Sequence, residues 1–90
     1  MFYIYILYSK SIDKYYVGYS QNPDERLVFH NSEKNKIWSK RGIPWEIKCV
    51  IQFLDKSEAL KAEKFVKKQK SRAFIEDIIN SKEIKGLKSI

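Results

Sequence analysis

The side chains best suited to chemistry are two tyrosines near the start of the chain, a basic pair after them and one later carboxylate. Tyr5 and Tyr16 lie in apolar segments, Arg26 and His30 are four residues apart, and Glu63 follows much later. Cleavage of a phosphodiester needs a base for the attacking water, positive charge beside the phosphate and stabilisation of the leaving oxygen. A tyrosinate can act as the base, an arginine can neutralise the phosphate, and a metal ion held by a carboxylate can meet the last two needs.

Other familiar kinds of site find no support in the sequence. With one cysteine, Cys49, and one histidine, the chain has no zinc cluster and no internal disulfide. It has no glycine-rich phosphate loop, and no Gly-x-Ser-x-Gly turn supports a catalytic triad around His30. We therefore expect no small-molecule cofactor, and the scarcity of cysteine favours a reducing, cytoplasmic setting.

The composition indicates an anionic partner. The chain holds 18 lysine and arginine residues against 11 aspartate and glutamate residues, which gives a formal charge of +7. Such a surplus favours nucleic acid, although a lysine-rich solubilising surface gives the same total. Because no segment approaches the roughly 20 apolar residues of a membrane helix, we expect no membrane association. The length of 90 residues predicts one domain, with its core over about residues 2–80 and a tail over about 81–90.

The elements that must position these side chains begin with a β-hairpin. Apolar and aromatic residues 2–8 predict a central strand, and residues 15–20 predict its antiparallel partner. If residues 10–13 form the turn, Ser9 faces Lys14 and the register of the whole hairpin follows. Because side chains alternate along a strand, this register puts four residues on one face: Tyr3, Tyr5, Tyr16 and Gly18.

A helix ending near Asn31 is expected to follow the hairpin. Asn22 can cap it, Pro23 suits its first position, and Glu25 can complete a pair similar to a capping box. Residues four apart project from the same face of a helix. Two candidate site residues are therefore neighbours on its surface: Arg26 and His30.

The rest of the chain predicts a loop, a strand and two helices. Residues 32–44 are basic and irregular, and residues 45–54 predict a third strand. Asp55 or Ser57 starts a second helix, and Ser71, just beyond its end, caps a third. The apolar positions expected to face inward are Ile47, Cys49, Ile51 and Phe53 in the strand, Ala59, Ala62, Phe65 and Val66 in the second helix, and Ala73, Ile75, Ile78 and Ile79 in the third.

The order of the elements predicts the fold class. Strand, strand, helix, strand, helix, helix is typical of an α+β fold, here a small three-stranded antiparallel sheet flanked by three helices. The chain is expected to fray from about Ser81.

The candidate residues, taken in order, resemble the GIY-YIG nuclease family over about residues 2–80. The tripeptides Tyr3-Ile4-Tyr5 and Tyr16-Val17-Gly18 resemble the two halves of its motif, and Ser20 follows where the family often has a small hydroxyl residue. The Arg26-x-x-x-His30 pattern and the helix around residues 57–63 are similar to the family's basic pair and to its metal-binding helix.

The chain is also similar, through its Lys-rich stretch and Ser71-Arg72, to a small stand-alone bacterial branch related to the N-terminal nuclease domain found in excinuclease ABC. It departs from the family pattern in two places. Tyr3 replaces the first glycine, which is expected to narrow the groove, and Val17 replaces isoleucine, which is a conservative change in a strand.

The resemblance implies a metal-dependent endonuclease that cleaves DNA, including branched or damaged DNA, in repair or recombination. It implies that Tyr5 is the general base, that Tyr16 positions water or phosphate, and that Arg26 contacts the scissile phosphate. It further implies that His30 contacts phosphate or steadies the network, and that Glu63 holds Mg²⁺ or Mn²⁺. Because free tyrosine has a pKa near 10, the base needs a nearby cation.

Each role has a plainer alternative. The tyrosines could simply pack in strands, Arg26 could pair with Asp24 or Glu25, His30 could be a cation at a helix C-terminus, and Glu63 could pair with Lys67. Gly18 in a strand interior indicates either a bulge or close approach of a ligand. The residues proposed to contact DNA, which could equally be solvated, are Gly18, Ser20, Lys34, Lys36, Lys40 and Arg41.

Alternatives also remain for the two tryptophans and for the chain as a whole. Trp38, among basic residues, could stack on a base, whereas Trp45 is expected in the core. The runner-up function is a catalytically weak or idle nucleic-acid-binding module of the same fold. A third is a protein-interaction domain whose basic surface is incidental.

Overall fold

The computed structural model, which describes residues 1–87, confirms the predicted order of elements and the α+β class. The sheet consists of β1 (Phe2–Ser9), β2 (Lys14–Ser20) and β3 (Trp45–Phe53), which are antiparallel and lie in the order β2-β1-β3. The helices are α1 (Pro23–His30), α2 (Lys56–Gln69) and α3 (Arg72–Ser81). None of the helices within residues 1–87 has the length and apolar character needed to cross a membrane.

The hairpin has the predicted register. Ser9 stands opposite Lys14 and Tyr5 stands opposite Gly18. The turn between them holds Asp13 at a positive φ of 52°, a conformation that aspartate tolerates better than most residues. The predicted face of the sheet is therefore confirmed, with Tyr3, Tyr5, Tyr16 and Gly18 on the same side.

Strand β1 is buried on both faces, which explains its unbroken apolar sequence. Ile4 and Ile6 pack into a core formed with Cys49 and with residues of α2 and α3. Tyr5 and Leu7 point the other way, into a second cluster that includes Trp45 and, from α1, Leu27. Trp45 is 3% exposed, so its predicted place in the core is confirmed.

A register shift in β3 corrects the predicted inward face of that strand. Ile6 stands opposite Cys49 but Leu7 stands opposite Ile47, so Lys48 is an extra residue on β3. An extra residue reverses the alternation of side chains. The prediction that Ile47 shares a face with Cys49 is therefore wrong: Ile47 packs in the Tyr5 cluster and Cys49 in the other core.

The helix starts are fixed by side-chain caps. The Asn22 side chain accepts the Glu25 N–H at 3.2 Å, Asp55 accepts the Ser57 N–H at 2.8 Å, and Ser71 caps α3. These starts agree with the predicted ones to within a residue or two.

The inward face of α3 and the end of the chain differ from expectation. Ala73 is exposed and Phe74 packs against the core instead, so the prediction for Ala73 is wrong. The larger residue buries more apolar surface when the two compete for one face. Ile84 and Leu87 also pack against the core, so the chain is not frayed from residue 81 to 87. The last three residues of the predicted tail, 88–90, lie outside the described residues.

Candidate active site

Tyr5 lies over Gly18, its partner on the neighbouring strand. A Cβ atom added to Gly18 would overlap the Cζ and Oη atoms of Tyr5 and would stand only 2.8 Å from its Cε1 atom. The glycine in β2 is thus required by the ring of Tyr5, and neither a bulge nor an approaching ligand is needed to explain it. Gly18 is buried beneath that ring.

His30, the last residue of α1, is fully buried against Tyr5. Its Nε2 atom lies 3.0 Å from the Tyr5 hydroxyl and its Nδ1 atom lies 2.9 Å from the Ser39 hydroxyl. Both ring nitrogens are therefore occupied by protein groups. A solvated cation at the helix end does not describe this residue.

Tyr16 occupies an aromatic cluster beside this pair. Its ring centroid lies 4.5 Å from that of His30, 6.2 Å from that of Tyr5 and 5.8 Å from that of Trp38. Tyr16 is half-buried, and its hydroxyl makes no hydrogen bond within residues 1–87. Trp38 is 50% exposed, so the outer side of the cluster is open to solvent.

Arg26 lies one turn before His30 on α1 and supplies the positive charge of the site. Its guanidinium carbon stands 4.5 Å from the centroid of the Phe29 ring, a favourable cation–π distance. The described residues offer it no ion-pair partner, so the alternative of a pair with Asp24 or Glu25 is not observed.

Burial and neighbouring charges set the protonation of the site. Burial raises the pKa of the Tyr5 hydroxyl, the nearby Arg26 guanidinium offsets only part of this, and Tyr16 and Glu63 add to the rise. Burial, aided by Arg26, lowers the pKa of His30 to about 4. At neutral pH the free protein therefore holds a protonated Tyr5 and a neutral His30.

Glu63, on α2, is the carboxylate whose charge reaches Tyr5. Its side chain is 21% exposed, and its Oε2 atom lies 3.2 Å from the ammonium of Lys67. The predicted pair of these two residues is thus present, as an ion pair on the helix surface. The other oxygen, Oε1, has no hydrogen-bond partner within residues 1–87.

The donor set of Glu63 fits a hard divalent cation. Among residues 1–87 no group of three or more His, Cys, Asp or Glu side chains is placed to hold a metal. Mg²⁺ needs no such cage, because it commonly keeps several waters and takes one or two carboxylates with substrate phosphate. A half-buried carboxylate with one free oxygen suits that mode of binding.

The basic residues predicted to contact DNA lie on the surface of the loop between α1 and β3. This loop contains a 3₁₀ helix, Trp38–Gly42, where irregular chain was expected. Four cations of the loop are exposed: Lys34, Lys36, Lys40 and Arg41. Ser20 lies at the end of β2, where its Oγ accepts the Asn22 N–H at 2.9 Å.

A groove of about 650 Å³ borders Tyr16 and Trp38 along the outer edge of β2. Its far wall is formed by the end of α2 and the start of α3. One acidic residue lines it, Asp13, and its carboxylate is paired with Arg72 at 2.6 Å. The basic residues that line it are Lys14, Lys67, Lys70 and Arg72.

Sequence reasoning missed Asn35 and Ser39. Both are fully buried polar residues in a loop that otherwise carries exposed cations. No spacing or motif marks them, because a loop has no periodicity from which an inward position can be read.

The lowered pKa of His30 predicts acid sensitivity of the fold. A base that is harder to protonate in the folded state gains protons on unfolding, so the free energy of unfolding falls with pH from about 6.5 to about 4. The fall is expected to be roughly 3 kcal/mol, at about 1.4 kcal/mol per pKa unit, with no contribution from His30 above that range. Urea unfolding at a series of pH values measures it. His30→Gln is the control: parallel losses in parent and variant would assign the effect to other groups.

Comparison with known proteins gives three findings. A family model described as the GIY-YIG catalytic domain matches residues 1–76. A UPF0213 protein of Streptococcus pneumoniae is 32% identical over 68 residues, covering 76% of this chain and 68% of the relative. The UPF0213 protein YazA of Bacillus subtilis is 34% identical over 74 residues, covering 79% of this chain and 75% of the relative.

One relative carries a functional name. A structure-specific endonuclease subunit SLX1 homolog of Cryptosporidium parvum is 43% identical over 65 residues, covering 68% of this chain and 16% of the relative. This similarity therefore concerns one part of a much longer protein. No solved structure shows a significant match to the chain.

Proposed function

This chain belongs to the GIY-YIG catalytic-domain family, and we propose on that basis that it is a metal-dependent endonuclease hydrolysing DNA phosphodiester bonds. The observation that carries the proposal is the convergence of charge on one phenol. Arg26, Tyr16 and Glu63, from three different elements, all act electrostatically on the Tyr5 hydroxyl. Packing alone gives no reason for that convergence, whereas phosphodiester hydrolysis does.

In the proposed reaction Tyr5 is the general base. Its Oη atom takes the proton of the attacking water, and Arg26 beside it neutralises the scissile phosphate. Tyr16, whose hydroxyl is not engaged by the described residues, orients the water or the phosphate. Because Tyr5 is 1% exposed, its reaction partner must be brought to it across Arg26 and Tyr16.

The burial of His30 favours one of its two implied roles. A fully buried ring with both nitrogens bonded to protein cannot reach a phosphate without leaving its site. We therefore assign His30 the second role, that of holding the Tyr5 hydroxyl in place.

Glu63 is the proposed protein ligand of the metal. When bound there, Mg²⁺ or Mn²⁺ supplies Lewis-acid stabilisation of the phosphate and leaving oxygen, and a positive charge near Tyr5 in place of the negative one. Lys67, now paired with Glu63, must release the carboxylate or share it. A surface ion pair of this kind is worth only about 0.3–0.5 kcal/mol, so the exchange costs little.

DNA is the proposed partner, with branched or damaged DNA as its preferred form. The formal charge of +7, the four exposed cations of the loop and the basic groove beside Tyr16 support binding through phosphates. The half-exposed ring of Trp38 at the edge of that groove offers a surface on which an unpaired base can stack. A role in repair or recombination in the cytoplasm follows from such a substrate.

A catalytically idle nucleic-acid-binding module is the second candidate. The specific observation in its favour is the buried Tyr5, whose raised pKa suits a packing residue better than a base. In that case DNA binding would persist and no product would form.

Purified protein incubated with linear, nicked, flapped and branched DNA tests the proposal. We expect cleavage that requires Mg²⁺ or Mn²⁺ and favours the branched and flapped forms, with binding that weakens as salt rises. Binding with this salt dependence but without product would select the idle module. Absence of binding even at low salt would select the protein-interaction domain.

A further inference from the structure

The loop between α1 and β3 holds a chain of buried hydrogen bonds that ends at Tyr5. It runs from Asn35 through Ser39 and His30 to the Tyr5 hydroxyl, and all four residues are at most 1% exposed. Buried polar side chains are costly unless their bonds are directional and complete. The direction of this chain therefore carries information about the site.

The orientation of the Asn35 amide is fixed by two backbone groups. Its Oδ1 atom accepts the Ile37 N–H at 3.0 Å, and its Nδ2 atom donates to the His30 carbonyl at 2.9 Å. A backbone N–H can only donate and a carbonyl can only accept, so a flipped amide would lose both bonds. The Nδ2 atom is therefore the group 2.7 Å from Ser39 Oγ, to which it donates.

Three hydrogens then compete for the two remaining bonds of the chain. They belong to the Ser39 hydroxyl, to the neutral ring of His30 and to the Tyr5 hydroxyl. If His30 carried its hydrogen on Nδ1, Ser39 would accept twice and its own hydrogen would be left without an acceptor among residues 1–87. A buried group left unsatisfied in this way costs about 1–3 kcal/mol.

The opposite arrangement leaves the surplus hydrogen where it is useful. Ser39 then donates to Nδ1, and His30 carries its hydrogen on Nε2 and donates it to Tyr5 Oη. The hydrogen left over is that of Tyr5, at the point where Arg26, Tyr16 and Glu63 act. Water or a substrate oxygen can accept it there, whereas the Ser39 hydroxyl is enclosed by Asn35 and His30.

We propose that Asn35 and Ser39 are positioning residues that fix His30 in its Nε2–H form, so that Tyr5 Oη accepts a hydrogen bond from His30. This inference rests on the proposed function for its consequence, because an accepted hydrogen bond stabilises the phenolate that a base must become. Neither residue touches the substrate. Each acts through His30.

The test uses the fact that His30 is the only histidine of the chain. Long-range ¹H–¹⁵N correlation spectra of uniformly labelled protein at neutral pH, without metal or DNA, report directly which ring nitrogen is protonated. We expect a protonated Nε2 and an unprotonated Nδ1. A protonated Nδ1 in the parent protein would overturn the proposal, whatever the protein does to DNA.

Ser39→Ala removes the donor to Nδ1 and is expected to move the His30 signals toward the Nδ1–H form or a mixture of the two. Ser39→Thr keeps the hydroxyl and should restore the Nε2–H form. Ser32→Ala is the matched control, because Ser32 lies in the same loop and its Oγ donates to the Phe29 carbonyl instead. Unchanged His30 signals in a folded Ser39→Ala protein would contradict the proposal.

Asn35→Ala gives an independent variant if Ser39→Ala does not fold, and the same shift toward Nδ1–H is expected. In the cleavage assay, Ser39→Ala should lower turnover about 10–100-fold, the range for outer-sphere partners of functional histidines, with Ser39→Thr recovering it. Parent protein that shows the Nε2–H form but never cleaves would reject the proposed function and leave the tautomer assignment intact.

Discussion

Glu63→Gln is expected to abolish metal-dependent cleavage while leaving DNA binding unchanged or slightly stronger. The substitution keeps the size and helix propensity of the side chain but removes the only carboxylate charge that acts on Tyr5 within the described residues. A metal ion contributes several kcal/mol of transition-state stabilisation, so the loss should be at least about 10³-fold in turnover. Metal titrations should show weak binding to the free parent and tighter binding with DNA present, because phosphate completes the ligand set.

Glu58→Gln is the matched control for this experiment. Glu58 lies in the first turn of the same helix, where a carboxylate is explained by the helix dipole, and the variant should remain active. Urea unfolding of Glu63→Gln should show little change, since only an exposed pair with Lys67 is lost. Full cleavage by Glu63→Gln at limiting Mg²⁺, or inactivity of Glu58→Gln, would place the metal elsewhere.

Tyr5→Phe should lower turnover by about 10²–10⁴-fold, the usual contribution of a general base. The ring remains over Gly18, so DNA binding and the fold should persist. The lost hydrogen bond to His30 should reduce the free energy of unfolding by about 1 kcal/mol. Single-turnover cleavage and urea unfolding measure the two effects separately.

Tyr16→Phe is the companion variant and should be less impaired, because Tyr16 is assigned to positioning. Its hydroxyl, unlike that of Tyr5, has no protein partner within residues 1–87, so its removal should not affect stability. The reverse result, an active Tyr5→Phe and an inactive Tyr16→Phe, would transfer the role of base to the more accessible tyrosine. Full activity of both variants would return both residues to packing.

Local patterns predicted those features whose causes are local. The hairpin register followed from the length of one turn, which alone fixed that Tyr5 faces Gly18. The starts of α1, α2 and α3 followed from capping residues, which act on amides two or three positions away. The order of elements and the family resemblance also required nothing beyond the chain itself.

Features that depend on contacts between distant segments were not predictable in this way. The extra residue Lys48 reverses the face of Ile47, and it exists only in relation to β1, its partner strand. On α3 the choice of Phe74 over Ala73 depends on what the sheet presents to the helix. In both cases an alternating or helical pattern gives the period but not its phase.

By itself the sequence determined the fold class, the register of the hairpin and the set of side chains suited to phosphodiester chemistry. Only the tertiary structure decided how those side chains act on one another. It placed Tyr5 and His30 out of solvent, and burial is what raises the pKa of the first and lowers that of the second. It also turned Asn35 and Ser39 of a basic loop inward to bond His30, because buried polar groups select partners by proximity in space and not along the chain.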